Sequence, residues 1–239
     1  SENHAEAVNR IKESLNISSA VEGYKRYELA KSLFYLNKFE SALEQVKRSL
    51  EDKLILGVFP KAVLLKVNIL EKLNKNSEAI LFLNKAIKRI SSNRAFLASS
   101  HMPQLLYKQG NLLETYNKLS KAFNVYKGIY IKYPLTKEAA LSFSRMNKIK
   151  SLPKVSVQDI QSSGRMMRVK VLSSQAQFEK VVNEIEANRR SFNSIESFIY
   201  LANAYRKQSK RDEAAKIFRE ILEKFPNRPR TQKVLFESA

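Results

Sequence analysis

The chain has no cysteine, and only two histidines, five glycines and six prolines among its 239 residues. Without cysteine there are no disulfides, thiolate zinc sites or cysteine nucleophiles. That absence fixes no compartment, because cytosolic and periplasmic chains can both lack the residue. His4 and His101 stand far apart, and neither has a second histidine or a carboxylate at metal-ligand spacing, so no metal site is expected. His101, beside Met102-Pro103, reads as a residue at a helix start. The glycines lie singly at 23, 57, 110, 128 and 164 and make no phosphate-cradling loop. So few glycines and prolines favour long helices with few sharp turns. No run of about 18 apolar residues is present to span a bilayer. Ser1-Glu2-Asn3-His4 lacks the basic-then-apolar layout of a secretory signal, although a processed chain would look the same. A glycosidase would need two carboxyls held about 5–10 Å apart, one with a raised pKa. The acidic residues here fall at polar helix positions where nothing would desolvate them. No active site and no cofactor are therefore expected.

Acidic residues are scarce relative to basic ones, 23 against 43, which leaves a formal charge of +20. Residues 101–150 carry the densest excess, with Glu114 and Glu138 as their only acids. A balance of this sign attracts polyanions: nucleic acid, an anionic membrane face or an acidic cell-wall polymer. A charge run is also what a well-solvated helical surface looks like.

What the chain does have is a faint repeat, marked by its alanines. Ala42 is followed four residues on by Val46, Ala79 by Leu83, Ala122 by Tyr126 and Ala214 by Phe218. In the last two units a proline closes the frame, at Pro134 and Pro226, each twelve residues past its alanine. A small residue lets two helices approach, the larger one fills the groove, and proline ends the second helix. This resembles the tetratricopeptide pattern, about 34 residues per pair of antiparallel helices. One such pair cannot bury its apolar face alone, so an all-α class and a tetratricopeptide-like α-α superhelix are expected.

Apolar residues at three- and four-residue steps place the elements. Residues 5–16 read as an amphipathic helix with Ala5, Val8, Ile11 and Leu15 on one stripe. The first hairpin has helix A over about 21–36, with Leu29, Ala30 and Leu33 inward, a turn at Asn37-Lys38, and helix B from Glu40 to about Leu50. The second places Val67 and Leu70 on helix A, Asn74-Lys75-Asn76 in the turn, and Ala79, Leu83 and Ala86 on helix B. The third has Gly110 at the helix crossing, Leu113 inside and Ala122, Tyr126, Ile129 and Pro134 in frame. Tyr126, Tyr205 and Phe218 are expected in the core. Ser151–Gly164 breaks the period as a linker or irregular joint. Val169, Leu172, Phe178, Val181 and Ile185 then resume it without an alanine, and Leu201, Ala202 and Tyr205 open the last unit. The frame positions 42, 79, 122, 181 and 214 are spaced 37, 43, 59 and 33 residues, so the array is irregular. The expected organisation is 1–150 for the N-terminal helix and three hairpins, 151–164 for the joint, and 165–239 for two further hairpins. Arg230–Ala239 read as the opening of another helix, and the chain as a piece that continues in the natural protein.

One stretch carries a more specific likeness. Ile129–Leu141 (IYIKYPLTKEAAL), a linker near Leu152-Pro153 and the degenerate hairpin RMMRVKVLSSQAQFEKVVNEIE resemble the superhelical region of the soluble lytic transglycosylases. Tyr133, Pro134, Ala139 and Ala140 match that family's turn. Arg168, Leu172, Phe178 and Glu184 fit the hairpin after it, with Val181 standing where the family has alanine. The likeness covers about 21–239. The family's catalytic glutamate, in a Glu-Ser context with a GLMQ run downstream, has no counterpart. None of Glu13-Ser14, Glu40-Ser41, Glu196-Ser197 and Glu237-Ser238 precedes such a run. The resemblance therefore implies the non-catalytic superhelix of a peptidoglycan-cleaving enzyme, in the periplasm or cell envelope, with the catalytic domain outside this chain.

In tetratricopeptide arrays the first helix of each hairpin lines the concave face. Carrying that frame across puts Asn68, Asn111 and Asn203 at one equivalent position, with Lys31 there in the first unit. Tyr24, Tyr27, Tyr107, Arg206 and Lys207 flank them as further candidate binding residues. Amides donate and accept towards a peptide or glycan backbone, tyrosines offer a flat face with a polar tip, and cations pair with carboxylates. Asparagine is also a common choice at that position whatever an array binds. The expected partners are peptidoglycan or another acidic polymer, held for an absent catalytic domain. The alternative is a stand-alone scaffold of the cell envelope that binds acidic protein segments. Nucleic acid ranks last, because aromatic and arginine residues are not paired by repeat as base stacking would need.

Overall fold

The computed structural model describes residues 2–15, 21–51, 58–92, 101–153 and 155–226. Among these there are twelve α-helices, one short 3-10 turn (Arg189–Ser191) and no strand. The helices are α1 (Glu2–Leu15), α2 (Glu22–Tyr35), α3 (Phe39–Glu51), α4 (Phe59–Lys72), α5 (Asn76–Ser91), α6 (Met102–Thr115) and α7 (Leu119–Lys132), followed by α8 (Lys137–Lys150), α9 (Ser162–Ser174), α10 (Phe178–Ala187), α11 (Ile195–Lys207) and α12 (Arg211–Lys224). The chain forms two compact units, Ser1–Val125 and Tyr126–Ala239, divided within α7.

Five residues adopt the left-handed backbone region: Asn37 (φ 59°), Asn74 (55°), Asn117 (53°), Ala176 (55°) and Ser209 (60°). Each stands between two helices, and the amide after it donates back over the turn. Lys38 N–H reaches Leu33 O (2.9 Å), Lys75 reaches Leu70 (2.8 Å) and Lys118 reaches Leu113 (2.8 Å). Gln177 reaches Leu172 (2.9 Å) and Lys210 reaches Tyr205 (3.0 Å) in the same way. This is the Schellman closure of a helix C-terminus, which satisfies orphan carbonyls and reverses the chain within three residues. Three of the five positions are asparagine, whose short amide tolerates this conformation. The turns define hairpins α2/α3, α4/α5, α6/α7, α9/α10 and α11/α12.

Five residues beyond each left-handed residue stand Ala42, Ala79, Ala122, Val181 and Ala214, none more than 4% exposed. Seven residues before it, Ala30, Val67, Gly110, Val169 and Ala202 are buried on the first helix. The expected alanine frame is thus a register of close helix contacts. Each large aliphatic side chain buried beside it stabilises by about 1.5–3 kcal/mol. Pro60 and Pro103 lie in the first turns of α4 and α6, where no amide is needed. Val46, Leu83, Tyr126 and Ile129 are fully buried as expected.

Several expected inward residues move. In α1, Ala5 is exposed; His4, Val8, Ile11 and Leu15 form the inner stripe, and His4 stacks on Tyr35 of α2 at 4.8 Å. Leu112, not Leu113, takes the fully buried position in α6. Tyr205 and Phe218 are half-buried against the core of the second unit. Tyr205 keeps its hydroxyl at the surface, 3.5 Å from Glu186, because a phenol needs a polar partner.

An additional helix, α8, sits between the third and fourth hairpins and accounts for the long spacing there. Tyr133-Pro134 follows the end of α7, and Thr136 (φ −89°, ψ 153°) caps α8 by accepting from Ala139 N–H at 3.3 Å. Ala139, Ser142, Met146 and Ile149 are its buried stripe, while Ala140 is exposed. The non-helical joint ends at 161, and Ser162–Gly164 belong to the first turn of α9. A Cβ on Gly164 would lie 3.0 Å from Ile131 Cδ1 and 3.3 Å from Ile160 Cγ2, so this glycine permits a close approach. The expected helix over Arg230–Ala239 lies outside the described residues.

Candidate binding surfaces

Six residues before each left-handed turn stand Lys31, Asn68, Asn111, Lys170 and Asn203, so the equivalence of the candidate position holds on the backbone. The three asparagines and Lys31 are half-buried, and Lys170 is exposed. Within the first unit α2 adjoins α4 and α4 adjoins α6; within the second α9 adjoins α11. Ion pairs cross these seams: Lys108 of α6 to Glu71 of α4, and Lys170 of α9 to Glu196 of α11 at 3.0 Å. The candidate position therefore lies along the junctions of neighbouring first helices.

The other candidates differ in accessibility. Tyr24 is 44% exposed and Tyr27 only 9%, the two rings 6.4 Å apart. Burial pushes the Tyr27 phenol above its ordinary pKa. Lys31 pairs with Glu28 at 3.2 Å, and Tyr107 is half-buried. Arg206 and Lys207 are exposed in the last turn of α11, where cations also complement the helix dipole. Tyr24, Tyr27, Lys31, Asn68, Tyr107 and Asn111 belong to the first unit; Asn203, Arg206 and Lys207 belong to the second.

The second unit holds a cavity of about 490 Å³ bounded by α7, α8, α9, α10 and the joint before α9. At its floor Glu184 of α10 is 8% exposed. Its Oε2 accepts from Arg168 Nε at 3.0 Å and from Tyr130 Oη at 3.1 Å, and its Oε1 lies 3.4 Å from Arg165 Nη1. Arg168 also donates from Nη1 to the Tyr130 carbonyl and lies 3.8 Å over the Tyr130 ring, which in turn stacks on Phe143 at 5.1 Å. Burial, and then the Glu184 charge, push the Tyr130 phenol up. Near the mouth Lys150 Nζ pairs with Asp159 at 2.7 Å, and that hydrogen bond draws the Asp159 carboxyl below its ordinary range. Glu184 thus overturns the expectation that no acid is desolvated, as does Glu138, 6% exposed in the first turn of α8. Both acids have a local reason for burial: guanidinium partners for the first, a helix N-terminus for the second.

None of the cavity was read from the sequence as a site. Arg168 and Glu184 entered only through a family likeness. A signal was present: Arg165 and Arg168 stand eleven and eight residues before the left-handed turn, where the last hairpin has Phe198 and Leu201. Two arginines in a core register, with a glutamate on the next helix, mark a buried ion cluster. Among the described residues no three histidine, aspartate or glutamate side chains gather to hold a metal, and no helix is long and apolar enough to cross a membrane.

Comparison with known proteins agrees with this architecture. Residues 27–95 and 196–228 match models of the tetratricopeptide repeat. No curated protein matches the chain. A tetratricopeptide repeat protein from Parabacteroides merdae is 11% identical, with 99% of this chain and 93% of that one covered and a TM-score of 0.50. The TPR2AB-domain:pHSP90 complex of yeast Sti1 is 14% identical over 89% and 81% of the two chains, with a TM-score of 0.46. YrrB, described as a TPR protein with an unusual peptide-binding site, is 13% identical over 95% and 96%, with a TM-score of 0.38. Two stretches of the chain thus match the tetratricopeptide repeat by sequence, and the fold is of the all-α, tetratricopeptide-like α-α superhelix class expected of such a match.

Proposed function

We propose that this chain is a protein-interaction scaffold whose first helices take an extended acidic segment of a partner. The observation that carries the reading is half-buried asparagine at one register on the adjoining first helices α4 and α6, Asn68 and Asn111, with Asn203 at the same register in the second unit. Amides at these positions can satisfy donors and acceptors of an extended main chain, and the lysines at the same register, Lys31 and Lys170, suit its acidic side chains. The formal charge of +20 favours a partner of opposite sign and speeds its encounter. The likeness of residues 129–141 and 165–186 to lytic transglycosylases supports a narrower version, in which the acidic partner is peptidoglycan and the chain works in the cell envelope. The repeat matches support the general scaffold.

A fluorescein-labelled decapeptide rich in Asp and Glu, titrated with the chain, tests the reading. Saturable binding is expected, weakening steeply with salt because exposed charges are screened beyond about 8–10 Å. Replacing Arg206 and Lys207 with Glu is expected to weaken it far more than the same change at Lys216 and Arg219 on α12. Equal losses from the two pairs would mean that the charge acts diffusely and the first-helix assignment is wrong. Purified sacculi and duplex DNA, run beside the peptide, separate the narrower version and the nucleic-acid alternative. Tighter binding of DNA than of either would overturn the proposal.

A further inference from the structure

We infer that the cavity between α7 and α10 is an oxyanion pocket, which receives a carboxylate or phosphate group through the guanidinium of Arg165 and the rim ammonium of Lys180. The charges around it do not cancel. Glu184 is shared by two arginines, Lys150 is already paired with Asp159, and exposed Lys180 adds a further cation. Four cations thus face two carboxylates, and the excess sits partly out of water, where an uncompensated charge is costly.

The donors are unevenly used. Arg168 is engaged through Nε by Glu184, through Nη1 by the Tyr130 carbonyl, and across its face by the Tyr130 ring. Arg165 is held only at 3.4 Å from Glu184, and its Nε is buried with no acceptor among the described residues. A guanidinium has five donors in a fixed fork suited to carboxylate and phosphate. Arg165, with a single long contact to Glu184, is therefore the less committed of the two guanidiniums that line the cavity. Phe143, 45% exposed and stacked on Tyr130, offers an apolar wall to the stem of the guest. The pocket is off the register of Asn68, Asn111 and Asn203 and does not depend on the function proposed for those residues.

The test uses the whole chain and two probes, inorganic phosphate and glutarate, each against sodium chloride of equal ionic strength. The readouts are the Arg165 Nε–H resonance and thermal stability, which a ligand of the folded state raises in proportion to ln(1 + [L]/Kd). A saturable shift of that resonance with at least one probe is expected, and the better probe identifies the group. Arg165→Gln is expected to weaken the binding about tenfold or more, and Lys180→Gln to weaken it less while leaving the fold intact. Lys180→Gln on the surface decides the matter if Arg165→Gln fails to fold. No saturable response to either probe beyond that of chloride would overturn the inference. So would equal stabilisation by the better probe in wild type and Lys180→Gln.

Discussion

Asn117 and Ala122 stand five residues apart and divide the work of one turn: Asn117 reverses the chain at φ 53°, and Ala122, fully buried, lets α7 close behind it. The same pair of tasks recurs in all five hairpins, but Ala176 and Val181 perform them in the fourth. There the left-handed residue is an alanine, whose Cβ costs about 1–2 kcal/mol in that conformation. Ala176→Gly is expected to raise stability by up to about 1 kcal/mol, after the entropy glycine gives back to the unfolded chain. Asn117→Val should do the reverse. Urea midpoints of the two variants check both signs, and a loss on Ala176→Gly would contradict the turn assignment.

Close packing gives a second prediction. Ala122→Leu adds volume where there is none and is expected to destabilise by about 1–3 kcal/mol. Gly128, in the same helix, has nothing within 4 Å of an added Cβ. Gly128→Ala should therefore stabilise by about 0.5–1 kcal/mol through helix propensity alone. Gly164→Ala should gain less, because its Cβ must displace Ile131 and Ile160. Thermal midpoints that rank these two glycine variants the other way would show the crowding at Gly164 to be unimportant.

The alanine frame and the asparagine turns were legible because both are short-range demands: a steric gap and a φ above zero, each tied to a residue type at fixed spacing. Helix α8 was not legible, since it has no partner helix in the repeat and hence no alanine-to-aromatic pair to announce it. The ion cluster escaped for a different reason. Tyr130, Arg168 and Glu184 meet across 54 residues, and an arginine read one residue at a time looks like solvated surface. Its burial is a property of the register, which only the five aligned turns reveal.

His101 supplies a pH prediction. Its Nδ1 is buried without a partner, and burial, then the Lys61 charge, push its pKa below 6.5. The folded chain thus binds that proton less readily than the unfolded one. The stability His101 contributes is fully present above about pH 6.5 and is lost as pH falls through its folded value. With only two histidines, proton NMR can follow the resonance directly. Lys61→Gln is expected to raise the His101 value, and no change would remove Lys61 as a cause.

The last prediction separates a buried ion cluster from an exposed one of similar appearance. Glu184 joins two guanidiniums that are 17% and 13% exposed at their side chains, whereas Lys150 and Asp159 are 41% and 57% exposed. Removing one partner of a buried pair strands the other, so Glu184→Gln is expected to cost about 3 kcal/mol or more. Tyr130→Phe, which removes a single neutral donor to Glu184 Oε2, should cost about 1 kcal/mol. Asp159→Asn breaks a solvated pair and should cost no more than about 1 kcal/mol. Double-mutant cycles in chemical denaturation give the comparison its cleanest form, because stranding costs appear in the single variants. Coupling between Arg168 and Glu184 is expected to exceed that between Lys150 and Asp159, and to survive in high salt where the exposed pair's coupling is screened away. Equal couplings, or equal salt sensitivity, would mean that water reaches Glu184 and that the cluster is not desolvated.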